Sequence, residues 1–159
     1  RLSSQHASVL IKQLMEIRSG LRVNPDMKDY MLDSDLTLQD FADMAAYLQS
    51  LPVAGKIGQG PPELVPRGQA LYASDCAGCH GEHGEGRAEL FYPMLASQHY
   101  RYLLLELDLI LSGGRGNSNP AMPPILKNYS TDDKRAVAAY LAQLPAPATA
   151  PTSHSSAVP

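Results

Sequence analysis

The chain has 159 residues, 44% of them hydrophobic and 18% charged, with a mean hydropathy of −0.20 and a formal net charge of −3. That length suits one ordinary domain or two small ones, and the acidic balance excludes nucleic-acid binding through a basic surface. No apolar run approaches the ~20 residues that cross a bilayer; the densest patch, Leu103-Leu104-Leu105, is broken by Glu106.

The chain opens on Arg1-Leu2-Ser3-Ser4 without a signal peptide, which reads as a processed or incomplete start. Residues 6–18 follow a helical period, with Leu10, Leu14 and Ile17 on one face, and Ser19-Gly20 supplies a C-terminal stop. Thr37 with Asp40 resembles a capping box, opening a helix whose stripe is Phe41, Met44, Leu48 and Leu51 and whose end is Pro52. Residues 53–65, with Gly55, Gly58, Gly60, Pro61 and Pro62, read as a linker. A short helix over residues 66–74 then delivers Cys76, and Gly81, Gly84 and Gly86 form a loop beyond it. Leu103, Leu107, Ile110 and Leu111 make the next amphipathic helix, stopped by Ser112-Gly113. Ser130 with Asp133 opens the last one, whose stripe is Val137, Tyr140, Leu141 and Leu144. Residues 146–159, rich in Pro, Ala, Thr and Ser, carry no apolar stripe and read as disordered or laid along a partner. No alternating strand pattern occurs, so the expected class is all-α.

These elements repeat. Ser4-Gln5-His6 recurs as Ser97-Gln98-His99, Ser19-Gly20 as Ser112-Gly113, and Ala45-Ala46-Tyr47-Leu48 as Ala138-Ala139-Tyr140-Leu141, all at an offset of 93. Arg22 falls on Arg115 and Asn24 on Asn117, and after a two-residue slip Met27 corresponds to Met122. The chain thus carries two copies of one unit. The first copy starts beyond the place where a counterpart of Cys76 would stand. Either a preceding segment belongs to it or that copy has lost the motif; the persistence of Met27 favours the former.

The chemistry concentrates in Cys76-Ala77-Gly78-Cys79-His80. This is the Cys-x-x-Cys-His pattern of c-type haem attachment: each thiol adds to a porphyrin vinyl group, and the adjacent imidazole lies under the ring to ligate iron. A zinc site or a redox dithiol is the alternative. Zinc wants four ligands, and the five histidines (His6, His80, His83, His99, His154) form no helical pair to complete a set. A thioredoxin-like dithiol wants a βα pattern that is absent. A thioether is a common sixth ligand to such an iron, and Met122 offers one between Pro120 and Pro123-Pro124, on what reads as a stiff, non-helical loop.

With the Cys76–Gly81 motif, Tyr92-Pro93-Met94-Leu95-Ala96-Ser97-Gln98-His99, the Ser-Gly-x-Arg-x-Asn turn and the closing Ala-Ala-Tyr-Leu helix, the chain resembles class I cytochromes c. As a pair of units it is similar to the dihaem cytochrome c4 group. The resemblance covers residues 4–52 as the later part of one module (within 1–52) and 66–145 as a complete one. It implies an all-α fold around each haem c, electron transfer in the bacterial periplasm, and redox-protein donors and acceptors such as an oxidase, reductase or dehydrogenase. It leaves room for association with a membrane complex, and for the alternative that the chain is a cytochrome subunit or domain of a larger oxidoreductase. An enzyme with an open iron fits less well, because a bound thioether blocks the position.

Carried over by residue, the resemblance makes Cys76 and Cys79 the thioether anchors, and His80 and Met122 the axial ligands. Pro93 becomes the carbonyl that meets His80 Nδ1. A second haem, if a preceding segment supplies its thiols, would take Met27, with Met31 as fallback. Arg115 and Arg22 are candidates for propionate contacts. Met44 and Met94 read as core filler, His83 as a solvated loop residue, and Tyr47 and Tyr140 as core. His6 and His99, matched across the repeat, read as capping or interface residues.

Overall fold

The computed structural model describes residues 1–32, 35–53 and 58–146. Four residues of the predicted linker and all but the first residue of the predicted tail lie outside them. Among the described residues there is no strand, only an isolated bridge between Arg87 and Tyr92. The first repeat contributes α1 (Ala7–Arg18), α2 (Pro25–Leu32) and α3 (Leu38–Ser50). The second contributes α4 (Val65–Asp75), α5 (Ala77–His80), α6 (Tyr100–Ser112), α7 (Met122–Leu126) and α8 (Thr131–Gln143), with 3₁₀ turns at Pro62–Leu64 and Ala88–Leu90. The all-α expectation holds.

The starts and stops follow from local chemistry. Thr37 and Ser130 each accept from the N–H three residues on, while Asp40 and Asp133 bond back to the cap N–H, so both capping boxes close with Asp in the third place. Gly113 ends α6 at φ +76°, in the left-handed region that favours glycine. Met122 does not sit on an irregular loop. It is the first residue of α7, because Pro123 and Pro124 fall in the first turn, where a missing N–H costs nothing. Pro25 does the same for α2, which carries Met27.

Each repeat has its own apolar centre. Ile17, Met31 and Phe41 form the first, flanked by Leu14, Met27 and Met44. Tyr72, Leu103, Val137, Ala138, Leu141 and Ala142 form the second. There α4 lies directly on α8, and only Gly68 permits it: a Cβ at that position would stand 2.0 Å from the Ala136 carbonyl oxygen. Met94 is buried, as a core residue should be, and His83 is exposed. Tyr47 corrects the expectation from its partner. Tyr140 is half-buried against Tyr72, whereas Tyr47 is 65% exposed, since no described helix covers α3 as α4 covers α8.

The repeats meet through a pseudo-two-fold set of contacts. Within each repeat the same bond recurs, Ser4 N–H donating to Leu48 O at 3.0 Å and Ser97 N–H to Leu141 O at 2.9 Å, both serines at φ +59°; the contacts between the repeats are made by the residues that follow these serines. Gln5 bonds both main-chain groups of Met94, and Gln98 bonds both main-chain groups of Arg1. The same glutamines accept from the His6 and His99 N–H, so they, not the histidine rings, serve the helix starts. His6 instead meets the second repeat, its Nε2 2.7 Å from Glu85 O.

Candidate haem-binding site

Cys76 ends α4 and begins the single turn of α5, with His80 N–H donating to Cys76 O at 2.9 Å. The five-residue motif is therefore one compact helical turn presenting both thiols and the imidazole together. Gly81, at φ +84°, stops it. His80 is only 7% exposed, and burial holds its imidazole toward the neutral form that binds metals. Its Nδ1 lies 3.3 Å from Pro93 O, the separation of a long hydrogen bond. The loop can pass this close because position 86 is glycine: a Cβ there would stand 2.5 Å from Tyr92 O.

Cys76, Cys79, His80, Pro93 and Met122 all line one cavity of about 410 Å³. Its remaining walls are largely apolar: Leu103, Leu107 and Ile110 from α6, Ile125 and Leu126 from α7, Val137 and Leu141 from α8. Neither thiol is in a disulfide; Cys79 is exposed, and burial pushes the half-buried Cys76 thiol up to about 11. No cluster of three or more His, Cys, Asp or Glu able to hold a metal ion occurs among the described residues. An apolar slot carrying two thiols, an imidazole and a thioether fits a covalently attached porphyrin.

Two features of the wall carried no sequence signal. Tyr129 reaches back to donate to Asp75 Oδ2 at 2.8 Å beside Cys76, a contact between residues far apart in the chain. At the rim, Glu106 receives Arg115 on one oxygen and Arg22 on the other, the latter at 2.9 Å. Arg115 lines the cavity and Arg22 does not; Lys12 and Gln13 of the first repeat complete the rim. Met27 lies in the first repeat's apolar cluster, apart from this cavity.

By fold and site this is a c-type cytochrome, and the family model described as Cytochrome c matches residues 65–145. Its relatives narrow the class. The chain is 32% identical to cytochrome c4 of Azotobacter vinelandii over 89% of its own length and 74% of that protein's. It is also 32% identical to a thiosulfate dehydrogenase electron acceptor of Stutzerimonas stutzeri, over 91% of this chain and 70% of that one. The crystal structure of reduced recombinant cytochrome c4 from Pseudomonas stutzeri superimposes with a TM-score of 0.79 at 28% identity, covering 90% of this chain and 83% of that one. The chain belongs to the cytochrome c4 family: it is an electron carrier that binds haem c, and not an enzyme.

Proposed function

We propose that residues 66–145 form a complete cytochrome module whose haem c is anchored through Cys76 and Cys79 and ligated by His80 and Met122, and that residues 1–52 are the later part of a second such module. The observation that carries this is the convergence of those four side chains on one apolar cavity. When bound, the haem supplies a one-electron Fe(III)/Fe(II) couple. The protein's part would be to hold the iron through His80 and Met122, leaving no open position for a substrate, and to surround the site with apolar side chains and a thioether, which favour the reduced state. Pro93 orients the His80 ring. Arg115 is the candidate for a propionate, and it would share its guanidinium between that group and Glu106. Met27 is the candidate distal ligand for a haem in the first module, given thiols from outside this sequence.

The compartment we assign is the bacterial periplasm, and the partners are a redox donor and acceptor that dock transiently over at most ~1,200 Å². Among the described residues no helix is long and apolar enough to cross a membrane. A dehydrogenase as donor is supported by the relative named as a thiosulfate dehydrogenase electron acceptor. The same likeness favours the second reading, a cytochrome subunit of a larger oxidoreductase. The test is intact mass under denaturing conditions after expression with haem-ligation machinery. The haem is expected to survive unfolding on Cys76 and Cys79 and to be lost in Cys76→Ala/Cys79→Ala protein; a mass equal to the bare polypeptide would refute the assignment.

A further inference from the structure

The first repeat grips the loop that carries Pro93. Arg1 reaches Ala96 O at 2.6 Å and Ser97 O at 3.0 Å, His6 Nε2 lies 2.7 Å from Glu85 O, and Ser8 Oγ donates to Ala88 O at 2.7 Å. One contact in this grip differs in kind. Gln5, 8% exposed, accepts from Met94 N–H at 2.9 Å and donates to Met94 O at 3.0 Å, both bonds buried. The Met94 N–H and the Pro93 C=O are the two ends of one planar peptide group. A single peptide is therefore held by Gln5 Oε1 at its nitrogen and stands 3.3 Å from His80 Nδ1 at its oxygen. Hydrogen bonds in series polarise one another, so the acceptor at the N–H strengthens the carbonyl facing the imidazole.

We propose that Gln5 is a positioning residue for the iron: through the Pro93–Met94 peptide, the first repeat sets the hydrogen bond on His80 and so tunes the potential of the haem held by the second. The proposal rests on His80 being the proximal ligand. A carbonyl on Nδ1–H makes the imidazole a stronger donor, which favours Fe(III). Weakening that carbonyl therefore moves the potential upward. Gln98 holds Arg1 with the same two bonds, so the clamp is a repeated device of the fold.

The test uses the haem-loaded protein and three variants. Gln5→Met keeps the volume and removes both bonds; Ser8→Ala removes a neighbouring contact between the repeats that does not touch this peptide. Gln5→Glu keeps an acceptor for Met94 N–H. The readouts are amide exchange at Met94, the shift of the His80 ring protons, and the reduction potential. In Gln5→Met, exchange at Met94 is expected to speed up about tenfold, as for loss of one buried hydrogen bond, with the potential raised and the His80 resonances moved. Ser8→Ala is expected to leave all three in place, and Gln5→Glu to restore most of the protection. Unchanged potential and His80 shifts in Gln5→Met, or an equal change in Ser8→Ala, would overturn the proposal. A wild-type protein without a Soret band would instead overturn the haem assignment on which it rests, whereas a haem-loaded wild type with a silent Gln5→Met variant overturns the proposal alone.

Discussion

On the ligand set proposed above, Met122 is the residue that would close the iron to small molecules. It shares the cavity with His80 but comes from a different element, a five-residue helix that two prolines allow and hold short. Replacing Met122 with Ala removes the thioether and leaves both thiols untouched. The haem is expected to remain attached, the iron to bind small ligands, and the potential to fall, because a thioether favours the reduced iron. Ligand titration and potentiometry read all three. Unchanged ligand binding would place the distal ligand elsewhere. The Cys76, Cys79 and His80 set was legible because its spacing is the chemistry. The role of Gln5 was not: the repeat drew attention to Ser4-Gln5-His6, but nothing in the sequence says that the glutamine, not the histidine ring, serves the helix start or reaches Met94.

At the scale of elements, α8 backs the cavity with Val137 and Leu141 and bears α4 on its other contacts. Its start rests on the Ser130–Asp133 box, reinforced by Arg67, whose Nε donates to Asp133 Oδ1 at 2.8 Å. Ser130→Ala is expected to cost about 1 kcal/mol, measured by urea denaturation. The Ser130 hydrogen bonds and Arg67 hold the Asp133 carboxyl below its ordinary 3.8. A carboxyl depressed in the folded state stabilises above its unfolded value and loses that contribution as pH falls through the native one. The destabilisation caused by Asp133→Asn should therefore be complete above about pH 5 and shrink below about pH 4; a penalty independent of pH would show that the charge is not what matters. The boxes and glycine stops were readable from sequence because they are local. That Pro123 and Pro124 begin a helix was not, since the same residues fit a loop equally well until the fold chooses.

In the whole molecule, the repeats are joined around a carboxylate shared by two cations. Glu106 lies between Arg22 of the first repeat and Arg115 of the second, with all three side chains no more than 17% exposed. Glu106→Ala would leave two arginines facing each other at a buried seam, a loss on the order of 3 kcal/mol, read as a lower urea midpoint with the haem still bound. An unshifted midpoint would mean that the arginines relax into solvent. The period of 93 is a repeat in the sequence, whereas the contacts between the repeated segments, such as Arg22 with Glu106, carry no local pattern. Tyr47 and Tyr140 both read as core from their place on the closing helices; Tyr140 is half-buried against Tyr72 and Tyr47 is exposed, which follows from what covers α8 and not α3.

The most direct measurement is the absorption spectrum of the reduced protein before and after carbon monoxide. A haem Soret band that the gas leaves unchanged is expected if, as proposed, His80 and Met122 both ligate the iron and leave it no open position. A colourless protein, or a band that shifts at once on exposure, would contradict that assignment.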